Sequence, residues 1–127
     1  MQYLLDTHVA LWFFEEPERL SETVFRTILD PANAKYVSIA SAWELAIKIG
    51  TGKLTFEGGI DCFFNTIDEN GFGLLPITEE HVKQLETLPL LHRDPFDRIL
   101  VASAIAEGMH LITADANIRL YVVDSIW

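Results

Sequence analysis

Near its start the chain contains Tyr3-Leu4-Leu5-Asp6-Thr7-His8, a short apolar run that ends at an aspartate and leads into a helical pattern. This unit recurs, because apolar runs of strand length alternate with longer stretches of helical spacing. Such alternation predicts a mostly parallel sheet covered by helices on both faces, and therefore an α/β fold. The predicted strands are 3–5, 36–39, 73–77, 111–113 and 120–123. The predicted helices are 7–14, 21–29, 41–49, 60–69, 78–88 and 94–107, and 51–59 is predicted to be a loop.

The composition is that of one globular domain. The 127 residues are 50% hydrophobic and 22% charged, which is typical of a folded core, so we predict a single domain spanning 1–127. Cys62 is the only cysteine, which excludes an internal disulfide and a zinc ribbon. The first residues lack the features of a secretory signal, and no apolar stretch is long enough for a membrane span. We therefore expect a cytoplasmic protein.

The net charge is −10, from 19 acidic and 9 basic residues. Taken alone, this acidity argues against a protein that handles nucleic acid, because the phosphate backbone is itself negative. Bound cations reverse such a local field, and two divalent ions would bring the net charge to about −6. The charge is therefore compatible with a nuclease that binds metal.

Acidic side chains follow the predicted strands and open the predicted helices. Ligands bind at the carboxyl ends of the strands in a parallel sheet, so these acids are expected to converge on one edge. Each has a structural alternative. Asp6 and Asp94 suit helix N-caps, the helix dipole favours a carboxylate at Asp97, and Glu44 suits a capping box that begins at Ser41. A loop position would explain Asp115. The acids at this edge are Asp6, Glu44, Asp94, Asp97 and Asp115.

As a set, these acids require a counter-charge. At about 4 Å and an effective dielectric near 20, each pair of like charges costs roughly 4 kcal/mol, and several pairs would rival the stability of a small domain. The four histidines are scattered and only His92 lies near the acids, so zinc is disfavoured and a hard ion such as Mg²⁺ or Mn²⁺ is favoured. Carboxylate-bound metals of this kind support phosphoryl transfer.

Five segments of the chain carry a family resemblance. They are Leu4-Leu5-Asp6-Thr7-His8, Ser41-Ala42-Trp43-Glu44-Leu45-Ala46-Ile47-Lys48, Gly52-Lys53-Leu54, His92-Arg93-Asp94-Pro95-Phe96-Asp97-Arg98 and Thr113-Ala114-Asp115. In order and spacing they resemble the motifs of PIN-domain ribonucleases of the VapC toxin type. The resemblance covers nearly the whole chain, and segments 43–48 and 92–98 are its most specific parts.

The resemblance implies a three-layer α/β/α sandwich, RNA cleavage that depends on Mg²⁺ or Mn²⁺, and a cognate antitoxin that inhibits the protein. It also implies that four acids are both the catalytic residues and the metal ligands, and that two further residues support them. The four acids are Asp6, Glu44, Asp97 and Asp115, and the supporting residues are Asp94 and Thr113.

Phosphate contacts and self-association are expected from other residues. The candidate contacts to the RNA backbone are Lys48, Arg93 and Arg98. Relatives often carry a basic residue after the last acid, where this chain has Ala116, so no phosphate contact is expected there. A homodimer is also expected, and the apolar residues that would form its interface, or pack in the core instead, are Trp12, Phe13, Trp43 and Phe64.

Two alternative functions remain open at this stage. A phosphatase or phosphotransfer domain also places aspartates at strand ends, but the dehalogenase-type pattern needs an aspartate where this chain has His8, and no lysine follows Lys83 to serve a receiver domain. A non-catalytic module could hold a structural cation or a basic peptide at the acidic edge. Metal-dependent turnover of RNA would separate an enzyme from such a module.

Overall fold

The computed structural model describes all 127 residues and contains five strands and six α-helices. The strands are β1 (Gln2–Leu5), β2 (Ala34–Ser38), β3 (Gly73–Leu75), β4 (His110–Ile112) and β5 (Ser125–Ile126). The helices are α1 (Thr7–Glu15), α2 (Glu22–Leu29), α3 (Ile39–Gly50), α4 (Gly59–Glu69), α5 (Glu79–Thr87) and α6 (Pro95–Glu107). Single 3₁₀ turns cover Pro17–Arg19 and Ile118–Leu120. All six predicted helices and the first four predicted strands are confirmed within two residues at each end.

The five strands form one parallel sheet in the order β3-β2-β1-β4-β5. The first strand is central, and its last residue, Leu5, pairs with Val37 on one side and Ile112 on the other. Parallel pairing places the carboxyl ends of these strands side by side. The residues that follow β1 and β4 therefore meet at one edge of the sheet, where ligands of such sheets bind.

Helices cover both faces of the sheet, because side chains of a strand alternate between them. Tyr3 and Leu5 belong to a buried cluster with residues of α1, α2, α3 and α4, including the fully buried Phe63. Leu4 points to the other face and belongs to a second cluster with α6, including Leu100. This arrangement confirms the three-layer α/β/α sandwich.

The predicted strand at 120–123 is wrong. The segment leaves a 3₁₀ turn, with the Tyr121 N–H donating to the Ile118 carbonyl at 3.2 Å, and β4 pairs instead with Ser125 and Ile126. The physical reason is that the backbone of the segment bonds to itself, since the Val123 N–H also donates to the Tyr121 carbonyl at 2.9 Å, so these groups do not pair with β4. Tyr121 is buried, whereas Val122 is 94% exposed.

Of the four aromatic residues expected in the core or at an interface, three pack against the core and one is exposed. Trp12, Phe13 and Phe64 are half-buried and pack against the larger core cluster. Trp43 is 58% exposed and lies edge-on to Phe96, with ring centroids 5.2 Å apart.

None of the helices combines the length and apolarity that crossing a bilayer requires.

Candidate active site at the carboxyl end of the sheet

Asp6 lies at the end of the central strand and is almost completely buried. One carboxylate oxygen accepts a hydrogen bond from Thr113 Oγ1 at 2.8 Å, and the other accepts from the His8 N–H at 3.3 Å. The second bond makes Asp6 the N-cap of α1, so the capping role and a place in the acidic group hold together. Burial raises the pKa of Asp6, and the hydrogen bond from Thr113 opposes that rise.

Asp94 and Asp97 open α6 in different ways. Asp94 is the N-cap, since its Oδ1 accepts from the backbone N–H groups of Phe96 at 2.9 Å and Asp97 at 3.1 Å. Asp97 lies in the first helical turn and is not used in capping. Its pKa rises from 3.8 to about 7, chiefly because it is desolvated and then because Asp94 and Asp6 are nearby.

Asp115 follows the fourth strand and is held by its own backbone turn. Its N–H donates to Thr113 Oγ1 at 3.0 Å, and its Oδ1 accepts from the Asn117 N–H at 2.8 Å. Its negative charge contributes to the raised pKa of both Asp6 and Asp97. Three predicted acids from three separate elements therefore form one electrostatic group.

Glu44 is buried, but it does not complete a capping box, so that expectation is wrong. Helix α3 begins at Ile39 because Ser38 caps it, accepting from the Ala40 N–H at 3.0 Å. The Glu44 carboxylate instead lies 3.0 Å from Thr7 Oγ1 and 2.7 Å from Lys48 Nζ. Glu44 thus lies beside Thr7, the residue after Asp6, and its carboxylate is already paired with Lys48.

Ser41 also has a long-range partner in place of the predicted cap. Its Oγ lies 2.8 Å from Thr7 Oγ1, which ties α3 to the start of α1. A local sequence pattern could not reveal this contact, because it joins residues 34 positions apart.

Two of the three predicted phosphate contacts are engaged within the protein. Lys48 pairs with Glu44. The guanidinium of Arg98 donates to the Leu88 carbonyl at 3.3 Å, the Pro89 carbonyl at 2.9 Å and the Tyr121 hydroxyl at 2.9 Å. Arg93 is exposed.

His92 links the acidic group to a buried tyrosine that the sequence did not single out. Its Nε2 lies 3.3 Å from Asp97 Oδ2, and its Nδ1 lies 2.9 Å from the hydroxyl of Tyr121. Tyr121 is only 3% exposed and is 29 residues away along the chain. The tyrosine therefore holds the imidazole against Asp97.

The donor set is suited to a hard divalent ion, because it consists of carboxylate oxygens that are desolvated and close to one another. As the side chains stand, no three His, Cys, Asp or Glu residues surround a common point closely enough to ligate one ion. Asp97 and Asp115 are half-buried, so their carboxylates have room to rotate toward a bound cation. The chemistry of the residues therefore fits a metal, and binding requires side-chain adjustment.

Fold and site together define a class of protein: an α/β/α sandwich with a carboxylate group at the carboxyl end of a parallel sheet. The family model for the PIN domain matches residues 3–123, so the chain belongs to the PIN-domain family. Ribonucleases of this family are metal-dependent in general. The curated Ribonuclease VapC22 of Mycobacterium tuberculosis is 31% identical over 117 residues, which is 91% of this chain and 88% of that protein.

Solved structures of similar fold confirm the architecture. VapBC2 from Rickettsia felis, bound to a DNA fragment from its promoter, has a TM-score of 0.75 at 15% identity and covers 99% of this chain and 98% of its own. VapBC-1 from nontypeable Haemophilus influenzae has a TM-score of 0.70 at 18% identity, with 99% and 97% covered. At these identities the likeness concerns the fold.

Proposed function

We propose that this protein is an endoribonuclease of the VapC type, formed by a single domain over 1–127, that uses Mg²⁺ or Mn²⁺. The observation that carries the proposal is the meeting of three aspartates from three elements at one end of the sheet. Asp115 lies close enough to raise the pKa of both Asp6 and Asp97, and Asp6 also raises the pKa of Asp97. The likeness to Ribonuclease VapC22 supports RNA as the substrate, and RNA cleavage of this kind belongs in the cytoplasm.

The proposal assigns each acid a task. Asp6, Asp97, Asp115 and Glu44 would hold the ion, and Glu44 is the one of the four that is paired with a cation, Lys48, in the metal-free protein. A bound divalent ion would activate a water molecule and stabilise negative charge on the leaving oxygen. Thr113 keeps Asp6 oriented and Asp94 fixes the start of α6, so both serve as supporting residues.

The state of Asp97 predicts how metal binding depends on pH. With a pKa of about 7, the carboxyl group is about half protonated at neutral pH. Ligands must lose their protons to bind a metal. We therefore expect metal affinity to rise between about pH 6 and pH 8, with a proton released on binding.

The proposal is tested with purified protein and a mixed pool of single-stranded RNA. We expect cleavage with Mg²⁺ or Mn²⁺, none with chelator, and loss of at least about a hundredfold in Asp6→Asn and Asp97→Asn. Asp61→Asn is the matched control, because Asp61 also lies in the first turn of a helix but is exposed. Cleavage that persists in chelator, or an active Asp97→Asn variant, would contradict the proposal.

We also propose a cognate antitoxin as the partner of this chain. VapBC proteins are the structural neighbours, and the net charge of −10 favours a basic partner. An arginine from the antitoxin would bind the carboxylates through its planar fork and compete with the metal. Added Mg²⁺ should then weaken antitoxin binding, and inhibition that is indifferent to metal and to the antitoxin's arginines would place the contact elsewhere.

A homodimer through the exposed Trp43 is a further prediction, which the oligomeric state in solution would test.

A further inference from the structure

A cavity of about 370 Å³ opens beside Asp6 and Asp115, on the side of the site away from α6. A ligand-sized pocket typically starts at about 300 Å³, so the space suffices for one nucleotide unit. Its wall is completed by residues of α1, of the 3₁₀ turn after α1 and of the loop after β4. The lining residues are Asp6, His8, Trp12, Arg19, Ala114 and Asp115.

Arg19 is the arginine in this wall, and it is fixed in place. Its guanidinium carbon lies 4.5 Å from the centroid of the Trp12 ring, a cation–π contact. The Trp12 ring is itself supported by Trp127, whose centroid is 5.7 Å away. Arg19 makes one ion pair, with Glu16 at 3.2 Å, and its side chain is 55% exposed. Its other N–H donors have no hydrogen-bond partner within the protein.

We propose that Arg19, held over Trp12, binds a phosphate of the RNA strand adjacent to the phosphate that is cleaved. The inference deepens the proposed function and rests on it. A guanidinium matches phosphate through paired hydrogen bonds, and the aromatic ring beneath it fixes its plane without occupying its donors. An acidic site that accepts a polyanion needs such a cation. Lys48 and Arg98 are already engaged with protein groups, and Arg93, although exposed, does not line this cavity.

A second cavity of about 530 Å³ shares His8, Trp12 and Arg19 with the first and extends toward Glu15 and Glu16. Carboxylates on that side repel a phosphate. Asp6 and Asp115 on the other side are carboxylates too, but a divalent ion held there under the proposed function would offset their charge. The backbone of the strand is therefore expected on the side of Arg19 that faces Asp6 and Asp115.

The first test compares Arg19→Ala with Arg26→Ala. Arg26 is the matched control, because it is exposed, pairs with Glu22 one helical turn away and lines neither cavity. We expect Arg19→Ala to raise KM for single-stranded RNA about 5- to 20-fold at low salt with kcat within about twofold, as loss of uniform binding requires. The slope of log KM against log salt should fall by about 0.7. The control should change neither quantity.

The second test locates the contact with oligonucleotides that carry one neutral methylphosphonate at successive positions. When the methylphosphonate lies at one position near the cleaved bond, it should reduce the affinity of wild-type protein by as much as Arg19→Ala reduces the affinity for unmodified RNA. The same methylphosphonate should not reduce the affinity of the Arg19→Ala variant any further. Trp12→Phe should keep most of the contribution that Arg19 makes to RNA affinity, and Trp12→Leu should lose that contribution. Thermal unfolding checks that both variants fold. Because Trp12 acts through Arg19, the Leu substitution should add little to Arg19→Ala.

The outcomes separate this inference from the function on which it rests. If wild-type protein cleaves RNA but Arg19→Ala matches Arg26→Ala in KM and salt slope, this inference is overturned and the nuclease function stands. The inference is also overturned if the loss of affinity in Arg19→Ala adds to the loss caused by the methylphosphonate at every position tested. If wild-type protein neither cleaves nor binds RNA, both are overturned.

Discussion

Replacing Asp97 with asparagine should stabilise the metal-free protein at high pH, although the residue is central to the proposed chemistry. The folded state raises the pKa of Asp97 from 3.8 to about 7, through burial and the nearby carboxylates. Between these values the folded chain binds more protons than the unfolded chain, so the free energy of unfolding falls as pH rises through this window. Asparagine carries no charge and is free of that penalty.

The size of the effect follows from the same pKa. A rise from 3.8 to about 7 corresponds to roughly 4 kcal/mol if fully expressed. Solvent reaches this half-buried site and screens the charges, which reduces the penalty to about 1–2 kcal/mol. The substitution also weakens the favourable interaction with the N-terminus of α6, worth about 0.3–1 kcal/mol. A net gain near 1 kcal/mol is therefore expected at pH 8, shrinking toward zero or below at pH 4.

Urea denaturation in chelator at several pH values between 4 and 8 measures this difference. Asp61→Asn is the control, because the exposed Asp61 has the same helical position in α4 without the crowded acids, and it should show no gain. An Asp97→Asn variant that is less stable than wild type at pH 8, or whose advantage is the same at pH 4, would refute the electrostatic argument. A ligand stabilises a protein by binding to its folded state. Addition of Mg²⁺ should therefore stabilise wild type, which retains the Asp97 carboxylate, more than it stabilises the variant.

Substitutions at Thr113, Tyr121 and Asp94 test the groups around the acids. Thr113→Val removes the hydroxyl that donates to Asp6 and should cost about 1–2 kcal/mol in unfolding free energy and weaken metal binding, with calorimetry as the readout. Tyr121→Phe removes the hydroxyl that fixes His92 and should cost about 1–3 kcal/mol, with a weaker metal affinity that His92→Ala does not weaken further. Asp94→Ala should destabilise the chain by about 1 kcal/mol, whereas Asp94→Asn, which can still cap α6, should cost only a few tenths; thermal unfolding distinguishes them.

The sheet and helices were predictable because their signals are local. Buried strands are short apolar runs, and caps such as Ser21, Thr78 and Asp94 mark helix starts at the positions that the structure confirms. The last strand was not predictable, because an apolar run specifies burial but not pairing. At 120–123 only alternate side chains meet the core, and the edge of β4 is taken by Ser125 and Ile126.

The acidic positions were visible in the sequence, but most of their partners were not. Strand ends and first helical turns identify where Asp6 and Asp115 lie, since topology alone brings them to one edge. The pairing of Lys48 with Glu44 has the i, i+4 spacing of neighbours on one helix. The partners of Arg98 instead depend on contacts between separate segments, and the stacking of Arg19 on Trp12 depends on how the 3₁₀ turn returns to α1. Propensity and spacing carry no information about such contacts.

The hydrogen bond between Asp6 and Thr113 joins residues 107 positions apart and has a consequence for synthesis. The central strand emerges from the ribosome well before its neighbour β4 and the loop with Asp115, because 107 positions separate Asp6 from Thr113. Contacts between distant parts of a chain form only after the intervening loop is closed. A growing or prematurely terminated chain that stops before Thr113 therefore lacks a complete acidic group, so the site forms only after β4 and Asp115 have been made and have folded against β1.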